Sequence, residues 1–139
     1  MIWKILANVE AMNKRSAGTM MEHLGIVFTE VGEDYVCATM PVDHRTKQPL
    51  GIMHGGASCV LAETIGSTAA NFCVDIEKFY CVGLSIYTSH IRSVREGTVT
   101  GKATAIHIGR STQVWNIDIT NENGQLVSTT RLTMATLAR

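Results

Sequence analysis

The sequence predicts an α+β domain in which one antiparallel sheet wraps a single long helix. Three observations predict it: two short alternating segments come first, one nearly continuous apolar helix follows, and four longer alternating segments close the chain. A sheet with one dry face needs an apolar element to lie against, and this helix is the only candidate. At 139 residues, the whole chain (1–139) reads as one domain, long enough for a real core.

Residues from about Val9 to Glu22 mix polar and apolar positions and predict one or two short helices. Leu24 to Val31 and Tyr35 to Met40 are extended and are joined by Gly32-Glu33-Asp34, which makes them a hairpin. Asp43 to Met53 is a loop punctuated by Pro49 and Gly51. Gly55-Gly56 then opens a helix from Ala57 to about Cys73. It is apolar on most faces, so it belongs inside the fold, where its length would span roughly 25 Å.

After the helix the period changes to alternation. Phe79 to Ile91, Thr98 to Ile108, Thr112 to Thr120 and Leu126 to Leu137 are rich in Val, Ile, Thr and Tyr, as strands are. Gly97, Gly109-Arg110-Ser111 and Asn121-Glu122-Asn123-Gly124 mark the breaks. Trp115, Ile117 and Ile119 alternate with Val114, Asn116, Asp118 and Thr120, one dry face against a wetter one.

Composition removes several function classes. Twelve basic residues balance twelve acidic ones, so no global field draws in nucleic acid or an anionic membrane. The apolar start, Met1 to Ala7, is broken by Asn8 and Glu10 and is too short for a signal-peptide core. No segment approaches the roughly 18 apolar residues of a membrane span. Cys37, Cys59, Cys73 and Cys81 have neither C-x-x-C nor zinc spacing and sit in apolar runs. A reduced, cytoplasmic setting and no metal are expected.

Three constellations could carry chemistry. Glu63 is a carboxylate inside the apolar helix, where it must be paired, protonated, used or turned to solvent. Ser67 shares its face one turn on, and the small residues Gly66, Ala69 and Ala70 leave space for a ligand. His54-Gly55-Gly56 stands at the helix start, where free backbone N–H groups face developing negative charge. The same run could simply turn the chain, with His54 structural. Absence of a G-x-S-x-G elbow excludes the α/β-hydrolase use of such a run. Late in the chain, His90, Arg92, Ser93, Arg95, His107, Gly109, Arg110 and Ser111 form a polar and basic set whose arginines could hold phosphate, although surface arginines are usually just solvated.

Taken together, the chain resembles the hotdog-fold thioesterases of the phenylacetic-acid-degradation type, within them the dihydroxynaphthoyl-CoA hydrolases and the proofreading thioesterases of enterobactin synthesis. The likeness runs over nearly the whole chain and is densest from Ala38 to Pro49, in His54-Gly55-Gly56-Ala57-Ser58 and from Leu61 to Ser67. The resemblance implies that Glu63 is the catalytic carboxylate, as nucleophile or general base. It implies that the Gly55 N–H stabilises the oxyanion with His54 beside it, that Gln48 orients thioester or water, and that Ser67 lines the site across a subunit boundary. His90, Arg92, Ser93, Gly109 and Arg110 would contact coenzyme A. The substrate would be an acyl thioester of coenzyme A or a carrier protein, preferably aromatic, with no cofactor beyond the coenzyme A of the substrate. The sites lie between subunits, so a dimer or tetramer is implied.

One strand departs from the pattern. Close relatives have a segment resembling Gly-Leu-Glu-Ile-Asn-Ala-Asn-His, and this chain reads Gly83-Leu84-Ser85-Ile86-Tyr87-Thr88-Ser89-His90. Bulky Tyr87 is expected to fill part of the acyl space. Two other readings are a hotdog hydratase or dehydratase, which the Gln48 and Glu63 arrangement disfavours, and a non-catalytic acyl-CoA-binding protein. Regulators of the latter sort carry a DNA-binding segment for which neither length nor charge leaves room.

Overall fold

The computed structural model describes residues 1–139. The elements run α1 (Val9–Arg15), α2 (Met20–His23), β1 (Val27–Val31), β2 (Tyr35–Pro41), α3 (Gly55–Phe72), β3 (Phe79–His90), β4 (Thr98–Ile108), β5 (Thr112–Thr120) and β6 (Leu126–Ala138). All strands join one antiparallel six-stranded sheet, ordered β1-β2-β4-β5-β6-β3. The expected sheet around one helix is the fold observed. Two boundaries move. β1 starts at Val27 because α2 and the positive-φ Gly25 occupy the first part of that stretch. α3 begins at Gly55, two residues early, because His54 caps it: the Gly56 N–H donates to His54 Nδ1 at 2.8 Å.

The sheet turns one face to α3. Val36, Ala38, Val99, Ala103, Trp115, Ile117, Leu132 and Met134 are buried there against Leu61, Ala62, Ile65, Ala69 and Ala70. The fit is close: a Cβ on Gly66 would lie 2.6 Å from Leu132 Cδ2. The small residues Gly66, Ala69 and Ala70 therefore bring helix and sheet together, and the space expected beside them is filled. Buried Gln113 ties the far end of α3 to the sheet, donating to Ala70 O at 3.2 Å and accepting from Trp115 Nε1 at 2.9 Å. The N-terminal segment covers that end, with Trp3 stacked on Trp115 at 6.3 Å.

β3 contains a bulge that decides which side chains meet the helix. Gly83 pairs with Met134 and Ser85 with Thr133, so Leu84 is the extra residue. An inserted residue reverses the alternation. Beyond it, Ile86, Thr88 and His90 stand opposite Leu132, Thr130 and Ser128 on the helix face. Tyr87 stands opposite exposed Arg131 on the other face, 74% exposed. It does not enter the space beside α3 in its own chain, contrary to the expectation from the strand's departing sequence.

Candidate active site

α3 is not covered all round. Its face at Cys59, Val60, Glu63, Thr64, Ser67 and Thr68 lines a cavity of about 470 Å³, closed on one side by Met20 and Met21 of α2. These positions follow the helical repeat i, i+1, i+4, i+5, so the polar stripe was readable in the apolar run. Half-buried Glu63 opens into this cavity and lies against Gly83, where a Cβ would sit 2.7 Å from its Oε2. Glycine at 83 is what lets the carboxylate rest on β3. Ser67 lines the same cavity.

A second cavity, about 320 Å³, lies at the start of α3 and is lined by Gln48, Gly55, Ser58, His90, Arg92 and Ser93 among others. The loop before the helix is pinned into place. His54 N–H donates to Thr46 O at 2.8 Å, Met53 N–H to Val94 O at 2.8 Å, and Gln48 N–H to Ile52 O at 2.9 Å. Gln48 Oε1 accepts from the Leu50 N–H, closing its own turn. The Arg45 guanidinium beside Asp43 holds that carboxyl down at about 2, which stiffens the loop's first turn across the ordinary pH range.

In the first turn of α3 the Ala57 and Ser58 N–H groups donate to His54 O at 3.0 and 3.4 Å, and that of Gly56 is taken by the His54 side chain. The Gly55 N–H is the one left unpaired, beside the His90 ring. An unpaired N–H at the positive end of an 18-residue helix is a donor for a developing oxyanion.

Gly55 and Glu63 are nevertheless apart. Eight residues along an α-helix separate them by roughly 12 Å, and they line different cavities. One chain holds the unpaired N–H and the carboxylate in separate places. Gly109 and Arg110 lie farther off. Ser111 O accepts from Thr136 N, whereas His90 pairs with Ser128, so the two ends of β6 place them roughly 26 Å apart.

Burial explains the cysteines. The thiols of Cys37 and Cys81 are pushed up by desolvation, and that of Cys73 to about 11, so these three are packing residues. Cys59 is different: it lines the Glu63 cavity and its Sγ donates to Thr88 Oγ1 at 3.4 Å. Cys59, Ser58 and Gly83 were not singled out by sequence. The helical stripe points to the first; the other two needed strand and loop positions that no local pattern supplies. No helix is long and apolar enough to cross a membrane, and no three His, Cys, Asp or Glu side chains cluster as metal ligands would.

Comparison with known proteins places this arrangement. The thioesterase superfamily model matches residues 50–128, which include α3 and most of the sheet. The 1,4-dihydroxy-2-naphthoyl-CoA hydrolase of Escherichia coli is 50% identical over 137 residues, covering 99% of this chain and all of that protein (100%). A Pseudomonas aeruginosa thioesterase, solved as a glutamine-to-alanine mutant, superimposes with a TM-score of 0.99 at 42% identity, both chains covered fully (100%). A Staphylococcus aureus thioesterase has been solved as a glutamate-to-alanine and as a glutamine-to-alanine mutant, each 38% identical to this chain. The two structures cover 86% and 84% of this chain and 99% and 97% of their own, with TM-scores of 0.84 and 0.82. This chain belongs to the thioesterase superfamily and has its hotdog fold, which makes it an enzyme of thioester hydrolysis.

Proposed function

We propose that the enzyme hydrolyses acyl thioesters of coenzyme A or a carrier protein, aromatic ones in preference to long fatty ones, at a site completed by two copies of the chain. The carrying observation is the separation of Gly55 from Glu63. Each has the surroundings its role needs, yet roughly 12 Å of helix keeps them apart in one chain. A second copy laid against β3 would bring its own Gly55 to the first copy's Glu63. The bare apolar edge of β3, with Val82, Leu84 and Tyr87 exposed, is where such a copy would pair.

In that site the thioester carbonyl accepts from the Gly55 N–H, with His54 beside it. Glu63 attacks the carbonyl carbon or removes a proton from an attacking water, and Gln48 orients the thioester or that water. The C–S bond breaks and the thiolate leaves with a proton; where Glu63 has attacked, a water then cleaves the mixed anhydride that results, and by either route the acyl group departs as a carboxylic acid. Ser67 lines the acyl side of the cavity. His90, Arg92 and Ser93 hold the pantetheine arm or phosphates near the helix start. Gly109 and Arg110, at the other end of the sheet, meet the same coenzyme A from the second copy. Support for the pair Gln48 and Glu63 comes from the Staphylococcus thioesterase. Its two mutated positions stand 15 residues apart, as these two do.

The preference for aromatic groups rests on the naphthoyl thioester for which the Escherichia coli relative is named and on Val60, Met20 and Met21, which give the Glu63 cavity apolar walls. Hydrophobic discrimination of this kind is graded, about 1–3 kcal/mol per methylene. The test is kcat/KM for benzoyl-CoA against dodecanoyl-CoA in a thiol-release assay. Benzoyl-CoA should be the better substrate; a tenfold or greater advantage for dodecanoyl-CoA overturns the aromatic reading, and no thiol from either overturns hydrolysis.

A further inference from the structure

On the helix face of the β3–β6 ladder, Thr88 stands opposite Thr130 and His90 opposite Ser128. The first of these pairs is closed: the two threonine hydroxyls share a hydrogen bond of 2.8 Å, and Cys59 Sγ donates to Thr88 at 3.4 Å. The second is open. Ser128 is 0% exposed, and its Oγ is the single buried side-chain oxygen or nitrogen in the protein without a hydrogen-bond partner. Such a group costs stability, and folds rarely retain one without a use.

Its neighbours narrow that use. On β5 its cross-strand neighbour is Ile119, which offers nothing polar. Along β6, Thr130 is already engaged with Thr88. The residue directly opposite is His90, in a pairing that brings side chains within reach of each other, and the two share no hydrogen bond in the free chain. The His90 ring lies against the helix start. Measured from a Cβ placed on Gly55, its Cε1 is at 2.9 Å, its Nε2 at 3.0 Å and its Nδ1 at 3.5 Å. Of the two ring nitrogens, Nε2 lies nearer that position.

We propose that Ser128 is a positioning residue for this site: on substrate binding its hydroxyl, unpaired in the free chain, donates to His90 Nδ1 and so holds the imidazole at the start of α3 with Nε2–H towards the thioester. A hydrogen bond at one ring nitrogen fixes which of the two carries the proton. The ring then presents a second donor beside the Gly55 N–H, and the hydroxyl's cost in stability is offset only where it works, in turnover. This rests on the hydrolytic site proposed above.

The experiment compares wild type, Ser128→Ala, Ser128→Thr, His90→Ala and the Ser128→Ala/His90→Ala double variant, with benzoyl-CoA as substrate. Ser128→Ala removes an unpaired buried hydroxyl, so its melting temperature should equal or exceed that of wild type. Its kcat should nonetheless fall about fivefold to twentyfold, with KM within about twofold. Ser128→Thr should restore kcat. In the His90→Ala background the Ser128 substitution should add nothing, because it acts through the ring. With a non-hydrolysable thioether analogue of benzoyl-CoA bound, the ¹⁵N signals of the His90 ring should differ between wild type and Ser128→Ala. An unmoved ring signal overturns the proposal. So does an equal loss in both backgrounds, or a lowered melting temperature with activity that merely follows the folded fraction. If wild type releases no thiol, hydrolysis is the reading that fails, and the ring signals still decide the contact.

Discussion

Two strands end the sheet, and the chain treats them oppositely. β1 is five residues long, carries a register shift between Phe28 and Glu30, and is clamped from outside. Asn13 of α1 accepts from the Phe28 N–H at 2.8 Å and donates to Phe28 O at 2.9 Å, standing in for a neighbouring strand. β3 is twelve residues long, has no Asp, Glu, Lys or Arg in Phe79–His90, and shows Val82, Leu84 and Tyr87 to the outside. A long apolar edge left open is free to pair with another strand, whereas one closed by a side chain is not. The open edge is also the one beside the proposed site, where Gly83 bears the Glu63 carboxylate and His90 rests on Gly55.

The comparison can be broken or sharpened in four ways. Glu63→Gln leaves both edges intact but removes the carboxylate proposed as nucleophile or general base, so kcat should fall on the order of 10²–10⁴ while substrate still binds. Activity within a few-fold of wild type at matched folding removes Glu63 from the mechanism. Next, Val82→Lys with Ser85→Lys puts like charges on the open edge, on the face away from Glu63. Light scattering should then report a monomer, and activity should drop about tenfold or more if the site needs two copies. A fully active monomer breaks the link between edge and site. At the closed edge, Asn13→Ala should cost about 1–2 kcal/mol in denaturant unfolding, from two lost hydrogen bonds to buried backbone, with oligomeric state and kcat unchanged. The smallest effect concerns Tyr87, which stands on the face of β3 turned away from its own α3. Tyr87→Asn should leave the benzoyl-to-dodecanoyl ratio within about threefold, since no buried contact beside Glu63 changes; a larger shift would mean that the partner's site reads this side chain.

Much of this was legible before the fold. Thr98–Ile108 and Thr112–Thr120 begin and end where alternation and turn residues put them, because period and turn chemistry are local. The bulge at Leu84 was not, since one inserted residue in an apolar run leaves no mark on composition, and it turned Tyr87 away from α3 of its own chain. Gly66, Ala69 and Ala70 were misread for a related reason: small residues on a helix signal close approach, but whether of ligand or of sheet depends on Leu132 and Ile117, far away in sequence. Glu63 and the His54-Gly55-Gly56 start were visible as anomalies in an apolar run and a helix cap. That they face separate cavities followed only once α3 was known to begin at Gly55. Ser128 had no signal at all, for a serine among threonines on a strand looks like any other.

The strand order has a consequence for how the chain is made. β3 finds its only neighbour in β6, which begins 36 residues after β3 ends. β1, β2, β4 and β5 can pair with one another as they leave the ribosome, whereas β3 must wait with both edges open until nearly the last residues emerge. During that interval a twelve-residue segment free of formal charge, apart from any proton on His90, is available to any passing strand. Synthesis slowed within residues 91–125 should therefore raise aggregation more than the same slowing before Phe79.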